Sequence, residues 1–408
     1  MRLLIVNVHF EPFSFGGATI VAEEMARRLC QDYDFMVFAA SLRLGHLPCN
    51  SVVRHTTSFG VETFNIGVSS DYTYQRKYRN DELKSEFDRV VEYCQPDIVH
   101  VHCIQYIGAA FFDLLSSRSI PFVVTVHDHW WNCDRQFMVD VSGQYCGQKA
   151  IDLDVCVSRC MGERAVMKRR LDYLYNQIHK AALILTPSEF MRRFLQDNGF
   201  DHAKLVVNKN GVLPPTQFGG KRKSEHEPFV FGYVGGPGHL KGWNQIVEAS
   251  RELDEDLADL FLIRAVDAGS LVGASWKNEF LASSKGAPIE VVQPYSQRTI
   301  DETFAGFDAL LMPSNCRESF GLTAREASIR DIWVIASDAG GLAEDIVDGE
   351  NGQILSFPPS SADLAQAMAE AIRRAPYCEM PHKERIVTLD DQAAELAGLL
   401  RKVIQGAA

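Results

Sequence analysis

The feature that most constrains this chain is an alternation of short apolar runs with longer segments of helical periodicity. In the first half the runs fall at 3–8, 35–40, 97–102, 121–126, 181–186 and 204–207. In the second half they fall at 229–234, 259–264, 289–292, 307–312 and 332–336. A run that is apolar at successive positions suits a strand covered on both faces, which is the condition inside a parallel sheet. Between the runs, segments such as 18–30 and 81–94 repeat apolar residues at helical spacing, as crossover helices do. Both halves therefore read as doubly wound α/β domains, and no short-period repeat is visible.

A length of 408 residues exceeds what one hydrophobic core usually serves, so two such domains are expected. The segment 214–224 is rich in Pro, Gly and charge, lacks apolar periodicity, and is the expected linker. It separates a first domain at 1–215 from a second at 216–388. A terminal helix follows at 389–408, with Leu396, Leu399, Leu400 and Val403 able to share one face. Two similar domains on one linker are expected to frame a ligand cleft.

The formal net charge of −12 argues against a nucleic-acid partner, which would call for a basic excess. The first apolar run is too short for the core of a secretory leader, and no stretch reaches transmembrane length. A cytoplasmic location is the expectation. One basic segment, Arg164-Ala165-Val166-Met167-Lys168-Arg169-Arg170-Leu171, has two readings: a solvated helix face, or a peripheral contact with the inner face of a membrane.

Three glycine-bearing turns follow apolar runs. Gly16-Gly17-Ala18 opens a helix after the first run, where a ligand can approach the backbone. By itself that pattern also fits an ordinary tight connection. Gly235-Gly236-Pro237-Gly238-His239-Leu240-Lys241-Gly242 directly follows the run 229–234 and suits a diphosphate held by backbone donors and one ammonium. The alternative is a mobile loop with a solvated lysine. Glu318-Ser319-Phe320-Gly321-Leu322-Thr323-Ala324-Arg325-Glu326 follows the run 307–312, with one carboxylate in the loop and one in the following helix. Ionised carboxylates accept strong hydrogen bonds from neighbouring hydroxyls, so the pair suits a sugar and a ribose. A helix cap and a solvent-facing side chain are the plain alternatives.

The stretch from Glu318 to Glu326 resembles the E-x7-E motif of retaining GT-B glycosyltransferases, especially family 4, the group 1 glycosyl transferases. Several other segments match that family's pattern in order: Gly16-Gly17, Pro187-Ser188-Glu189-Phe190, Asn210-Gly211-Val212, Gly235 with Lys241-Gly242, and Ala339-Gly340-Gly341-Leu342-Ala343-Glu344 through Asn351-Gly352. The resemblance implies the GT-B fold, two Rossmann-like domains facing across a cleft, with the terminal helix crossing back to the first domain. It implies a nucleotide-sugar donor, a saccharide or lipid-linked acceptor, and a setting in bacterial polysaccharide or glycoconjugate synthesis. Glu318 would bind donor-sugar hydroxyls and Glu326 the ribose. Phe320, Gly321, Leu322 and Thr323 would meet phosphate or sugar oxygens, Lys241 the leaving diphosphate, and Gly17 donor or acceptor. His127, ending the run 121–126 beside Asp128, resembles the family's histidine near the transferred sugar. A buried structural histidine is the alternative.

Many members carry Arg where this chain has Gly236, so a cation on the diphosphate is missing there, and Arg317 or Arg298 is a candidate replacement. No acidic pair lies in a loop suited to a catalytic metal, so no cofactor is expected for the chemistry. Competing readings are a non-catalytic nucleotide- or carbohydrate-binding subunit, a sugar-nucleotide epimerase, and a phosphorylase, although no lysine is marked as a pyridoxal carrier.

Ten cysteines in so long a chain do not suggest a disulfide scaffold. Cys30, Cys49, Cys94, Cys103, Cys316 and Cys378 are scattered and read as buried small hydrophobes. Cys133, Cys146, Cys156 and Cys160 cluster in an insertion at about 130–162 after the His127-Asp128-His129-Trp130-Trp131 segment. Four thiolates can enclose a structural zinc that anchors a long loop; thiols, paired or not, and an iron–sulfur cluster are the other readings.

Overall fold

The computed structural model describes residues 1–70, 73–216, 227–374 and 379–406. Most of the expected linker, from 217 onward, and Cys378 lie outside them. The chain divides into two compact units. The first comprises Met1–Phe137, Gly147–Gly211 and Leu389–Ala408, the second Met138–Cys146 and Val212–Thr388.

The first unit holds eight strands: β1 (Arg2–Val6), β2 (Met36–Leu44), β3 (Val52–Thr56), β4 (Glu62–Val68), β5 (Ile98–Val101), β6 (Phe122–Thr125), β7 (Leu183–Thr186) and β8 (Leu205–Val207). Their order across the sheet is β3-β4-β2-β1-β5-β6-β7-β8, with every neighbouring pair parallel except β3 and β4. Leu3, Leu4, Ile5 and Val6 are all buried, so β1 is covered on both faces. That double covering produces the unbroken apolar run in the sequence. The strand order reverses direction at β1 and β5. In open α/β sheets ligands gather outside the carboxyl ends of strands at such a point.

The helix Leu389–Ile404 belongs to this first unit. Leu396, Leu400 and Val403 are buried as its periodicity requires, and Leu399 is half-buried. Arg28 Nε pairs with Asp390 Oδ1 at 2.5 Å, and Asn208 Nδ2 donates to Glu395 Oε2 at 2.6 Å.

The second unit holds β9 (Phe229–Val234), β10 (Phe261–Val266), β11 (Ile289–Val292), β12 (Ala309–Met312), β13 (Trp333–Ser337) and β14 (Gly352–Leu355). All pairs are parallel, in the order β11-β10-β9-β12-β13-β14. Alternate residues feed two cores. Phe231, Tyr233, Leu311 and Ile335 join Trp243, Phe280, Leu364 and Met368 on one face. Val230, Leu310 and Val334 join Phe304, Phe307, Ala324 and Leu342 on the other. The reversal lies between β9 and β12, so the loops after Val234 and Met312 share the carboxyl end of the sheet.

The insertion is more ordered than an anchored loop. It contains the turn His129–Trp131, an antiparallel bridge between Val139 and Tyr145, and the helix Leu153–Cys160 capped by Asp152. Of the scattered cysteines, Cys94 and Cys316 are buried and Cys30 and Cys103 partly so, but Cys49 is exposed. It lies in the turn between β2 and β3, where no helix covers the chain. No helix among the described residues is long and apolar enough to cross a membrane.

Candidate active site

In the second unit the glycine turn after β9 and the loop after β12 are fastened to each other. Asn315 N donates to Leu240 O at 2.9 Å, and Asn315 Nδ2 to His239 O at 2.8 Å. Gly242 closes the turn at φ 80°, and a Cβ there would fall 2.0 Å from Pro313 O, so only glycine allows this approach. The fastening brings Lys241 Nζ to 2.5 Å from Glu318 Oε1, the oxygen that also accepts from Ser314 Oγ at 2.6 Å. Burial works against the ammonium of Lys241, but the Glu318 carboxylate outweighs it with help from Cys316, and the Lys241 pKa is raised. An ammonium has three donors, so Lys241 can hold Glu318 and still meet an anion.

Glu318 is also fixed through its backbone, its N donating to Ala339 O and its O accepting from Gly341 N, both at 2.9 Å. The next turn rests on Arg325, which is fully buried. Its guanidinium donates to the carbonyls of Phe320, Gly321, Gly341 and Leu342 and pairs with Asp345 at 2.8 Å. Phe320 is buried with its ring 4.1 Å from that guanidinium, so its side chain supports the turn from within. Gly321 precedes the helix Leu322–Ser328 at φ 86°, and its Cβ would fall 2.6 Å from Leu342 Cδ1. Glu326, on that helix, is buried and accepts from Tyr295 Oη at 2.9 Å. Burial raises its pKa against the opposing effects of Tyr295, Arg330 and Gln297.

Arg317 Nη1 donates to Asp338 O at 2.9 Å, and its guanidinium lies over Phe357 at 4.3 Å. Gly236 faces the indole of Trp276, 3.5 Å from where a Cβ would stand. Arg298 is exposed on the loop after β11.

In the first unit the carboxyl ends of β1, β5 and β6 carry a polar group. Gly16 caps the helix Gly17–Asp32. Asn7 donates to His9 O at 2.7 Å and Thr19 Oγ1 at 3.1 Å, and accepts from Cys103 N at 3.0 Å. His127 Nε2 lies 2.8 Å from His102 Nδ1. Burial pushes the His127 pKa down to about 4, so the ring is neutral near pH 7. Burial pushes Asp128 up to about 6, against hydrogen bonds from Trp130 N, Gln136 and Gln105.

Cys133, Cys156 and Cys160 line one cavity of about 380 Å³ in the first unit, with Asp134, Glu163 and Arg170. Cys146 lies in the second unit. Among the described residues no three His, Cys, Asp or Glu are grouped so as to hold a metal ion. The basic segment is likewise not a uniform charged face. Arg170 points inward to Asp134 and Trp130 O, and Lys168 pairs with Asp172 at 2.6 Å.

The sequence reading singled out Lys241, Glu318 and Glu326; the structure sets Ser314, Tyr295 and Arg325 around them, and Asn7 and His102 near His127, none of which the sequence reading assigned to the site. Only His102 left a signal: two histidines at period two in an otherwise apolar strand.

Two Rossmann-like units of this topology define the GT-B fold of glycosyltransferases. The chain matches the family described as Glycosyltransferase Family 4 over residues 15–214 and that described as Glycosyl transferases group 1 over 217–385. It belongs to this glycosyltransferase family. It is 28% identical over 184 residues to a D-inositol 3-phosphate glycosyltransferase of Corynebacterium urealyticum, an overlap covering 43% of each chain. The match thus spans under half of that relative's length. The sucrose-phosphate synthase of Thermosynechococcus elongatus shares the fold, with a TM-score of 0.71, 16% identity and 99% of both chains covered. So does an alpha,alpha-trehalose-phosphate synthase (UDP-forming) of Burkholderia xenovorans in complex with glucose-6-phosphate, with a TM-score of 0.69, 11% identity and 100% of both chains covered.

Proposed function

We propose that the protein is a retaining glycosyltransferase that moves a hexosyl group from a nucleoside-diphosphate sugar, of the UDP class, to a saccharide or lipid-linked hydroxyl. The observation that carries this reading is the Lys241–Glu318 pair at the point where strand order reverses, with Glu326, on the helix that follows, held by Tyr295. Breaking the sugar–phosphate bond leaves negative charge on the diphosphate. A preorganised ammonium, with backbone amides near Gly321, stabilises that charge as it develops. Glu318 takes sugar hydroxyls and Glu326 the ribose. The acceptor oxygen attacks on the face the diphosphate leaves, so anomeric configuration is retained. The donor class is supported by the UDP-forming synthase that shares the fold.

No metal is assigned to the chemistry, and turnover is expected to persist in EDTA. A structural zinc on the cysteine insertion is a separate proposal: Cys133, Cys156 and Cys160 line one cavity, and the thiols would have to draw together to hold an ion. The deciding experiment is thermal stabilisation by UDP, GDP, ADP and dTDP, with the wild type and with Glu326→Ala. A ligand at about 100 times its Kd stabilises by about 2.7 kcal/mol. A shift with UDP that Glu326→Ala abolishes supports the donor site. No shift with any nucleotide removes it and favours a different ligand. Binding without donor hydrolysis or transfer would instead favour a non-catalytic subunit.

A further inference from the structure

The carboxyl ends of β5 and β6 carry two cross-strand side-chain pairs. His100 and Val123 are register partners, so Thr125 and His127 lie two residues beyond the positions opposite His100 and His102, on the same face of the sheet and diagonal to them. His100 Nε2 lies 2.7 Å from Thr125 Oγ1, and His102 Nδ1 lies 2.8 Å from His127 Nε2. The rings of His102 and His127 are close to parallel at 15°, with centroids 5.1 Å apart. His102 is only 2% exposed, and its Nε2 is buried without a hydrogen-bond partner. The backbone of His102 is pinned as well, its N donating to Val6 O at 2.8 Å.

Burial holds the rings neutral, with the His102 pKa well below its ordinary value and both neighbouring histidines contributing. Between two neutral imidazoles one nitrogen donates and the other accepts. If His127 Nε2 donated, His102 would carry its proton on Nε2 and bury an N–H with no partner. Orphaned buried donors are the rarer and costlier defect. If His102 Nδ1 donates, its Nε2 is a bare lone pair and no donor is orphaned. His127 then accepts at Nε2 and carries its own proton on Nδ1.

We propose that His102 is a positioning residue that fixes His127 as the Nδ1–H tautomer, making it a hydrogen-bond donor to a substrate oxygen and not a general base. The role of His127 toward substrate rests on the glycosyltransferase reading, whereas the tautomer does not. A donor suits retention, in which the departing diphosphate and not a side chain takes up the acceptor proton.

The test uses full-length protein labelled with 15N-histidine, with long-range 1H–15N correlations assigned through His127→Asn and His102→Asn. The expected result is a His127 neutral from pH 6 to 8, protonated at Nδ1, reverting to a tautomer mixture in His102→Leu. A His127 protonated at Nε2, or unchanged in His102→Leu, overturns the proposal. His102→Asn, whose amide N–H can replace the donor, should restore the tautomer and most of the transfer rate that His102→Leu loses. UDP stabilisation should be the same in all three proteins. If the wild type shows no nucleotide shift, the glycosyltransferase reading fails while the tautomer result stands by itself.

Discussion

On the proposed reading Glu318 has two tasks. In this structure its Oε1 accepts from Lys241 and Ser314, so a donor-sugar hydroxyl would have to share or exchange with those partners. Glu318→Gln keeps the shape but loses the charge that orients Lys241. It should lower kcat by about 10²–10³-fold, the usual cost of removing one preorganised electrostatic group. Lys241→Ala should cost a comparable factor and remove the ion pair from a largely buried carboxylate. Steady-state rates for both variants across pH check this, and a variant within threefold of wild type would remove Lys241 from the leaving-group role. Both glutamates and the lysine were legible because they stand at fixed positions in two glycine-bearing segments that resemble the family's pattern. Tyr295 and Ser314 were not, because each reaches its carboxylate only through folding, and a lone Tyr or Ser on a loop has no distinguishing pattern.

At the scale of elements, the helix Leu322–Ser328 and its entry turn depend on one buried side chain. Arg325 donates to four backbone carbonyls and pairs with Asp345, itself only 5% exposed. Breaking a buried pair from one side usually costs about 3–5 kcal/mol, because the remaining charge is stranded. Arg325→Leu should therefore lower Tm sharply and abolish nucleotide stabilisation, as scanning fluorimetry can show. Gly321→Ala should act more locally, costing about 1–3 kcal/mol through strain at a positive φ. Sequence periodicity located the inner strands well but missed β3, β4 and β14. β3 is an exposed antiparallel edge with most side chains in solvent, and β4 buries Thr63 and Asn65 among its apolar residues. β14 begins at a glycine whose Cβ would meet Val334 O at 2.5 Å. Each departs from the unbroken apolar run that marks a doubly covered strand, so the signal was absent where the covering is one-sided or polar. The cysteine insertion was legible as an insertion only. Which thiols share a wall depends on the helix Leu153–Cys160 turning Cys156 and Cys160 toward the cavity that Cys133 also lines. Metal analysis should find one zinc per chain, lost in Cys156→Ser; metal-free protein with unchanged Tm would remove the proposal.

The molecule as a whole carries its pH sensitivity in buried groups more than in its surface charge. His100, His102 and His127 are all held neutral by burial, His100 down to about 3 and His127 to about 4. In the unfolded chain each would take a proton near pH 6.5. Between that pH and about 4 the unfolded state binds more protons, so stability falls as pH falls through this window. Asp128 works in the opposite direction. Burial raises its pKa to about 6 from an ordinary value near 3.8, so between those limits the folded state binds the extra proton and gains stability as pH falls. Glu23, which burial raises to about 7, and the buried Glu326 act with Asp128, and His9 acts with the three histidines, so the acid response is a balance of two opposed sets of buried groups. Removing Asp128's share should tip that balance toward loss of stability in acid, and removing one histidine's share should tip it the other way. Chemical denaturation of wild type, Asp128→Asn and His127→Asn at pH 7.5, 6.0 and 5.0 separates the two terms. The slope of stability against pH should rank Asp128→Asn above wild type and wild type above His127→Asn. The reverse order would mean that Asp128 stays ionised and the histidines charge in the folded state. That outcome would also withdraw the neutral imidazole pair on which the fixed tautomer of His127 depends.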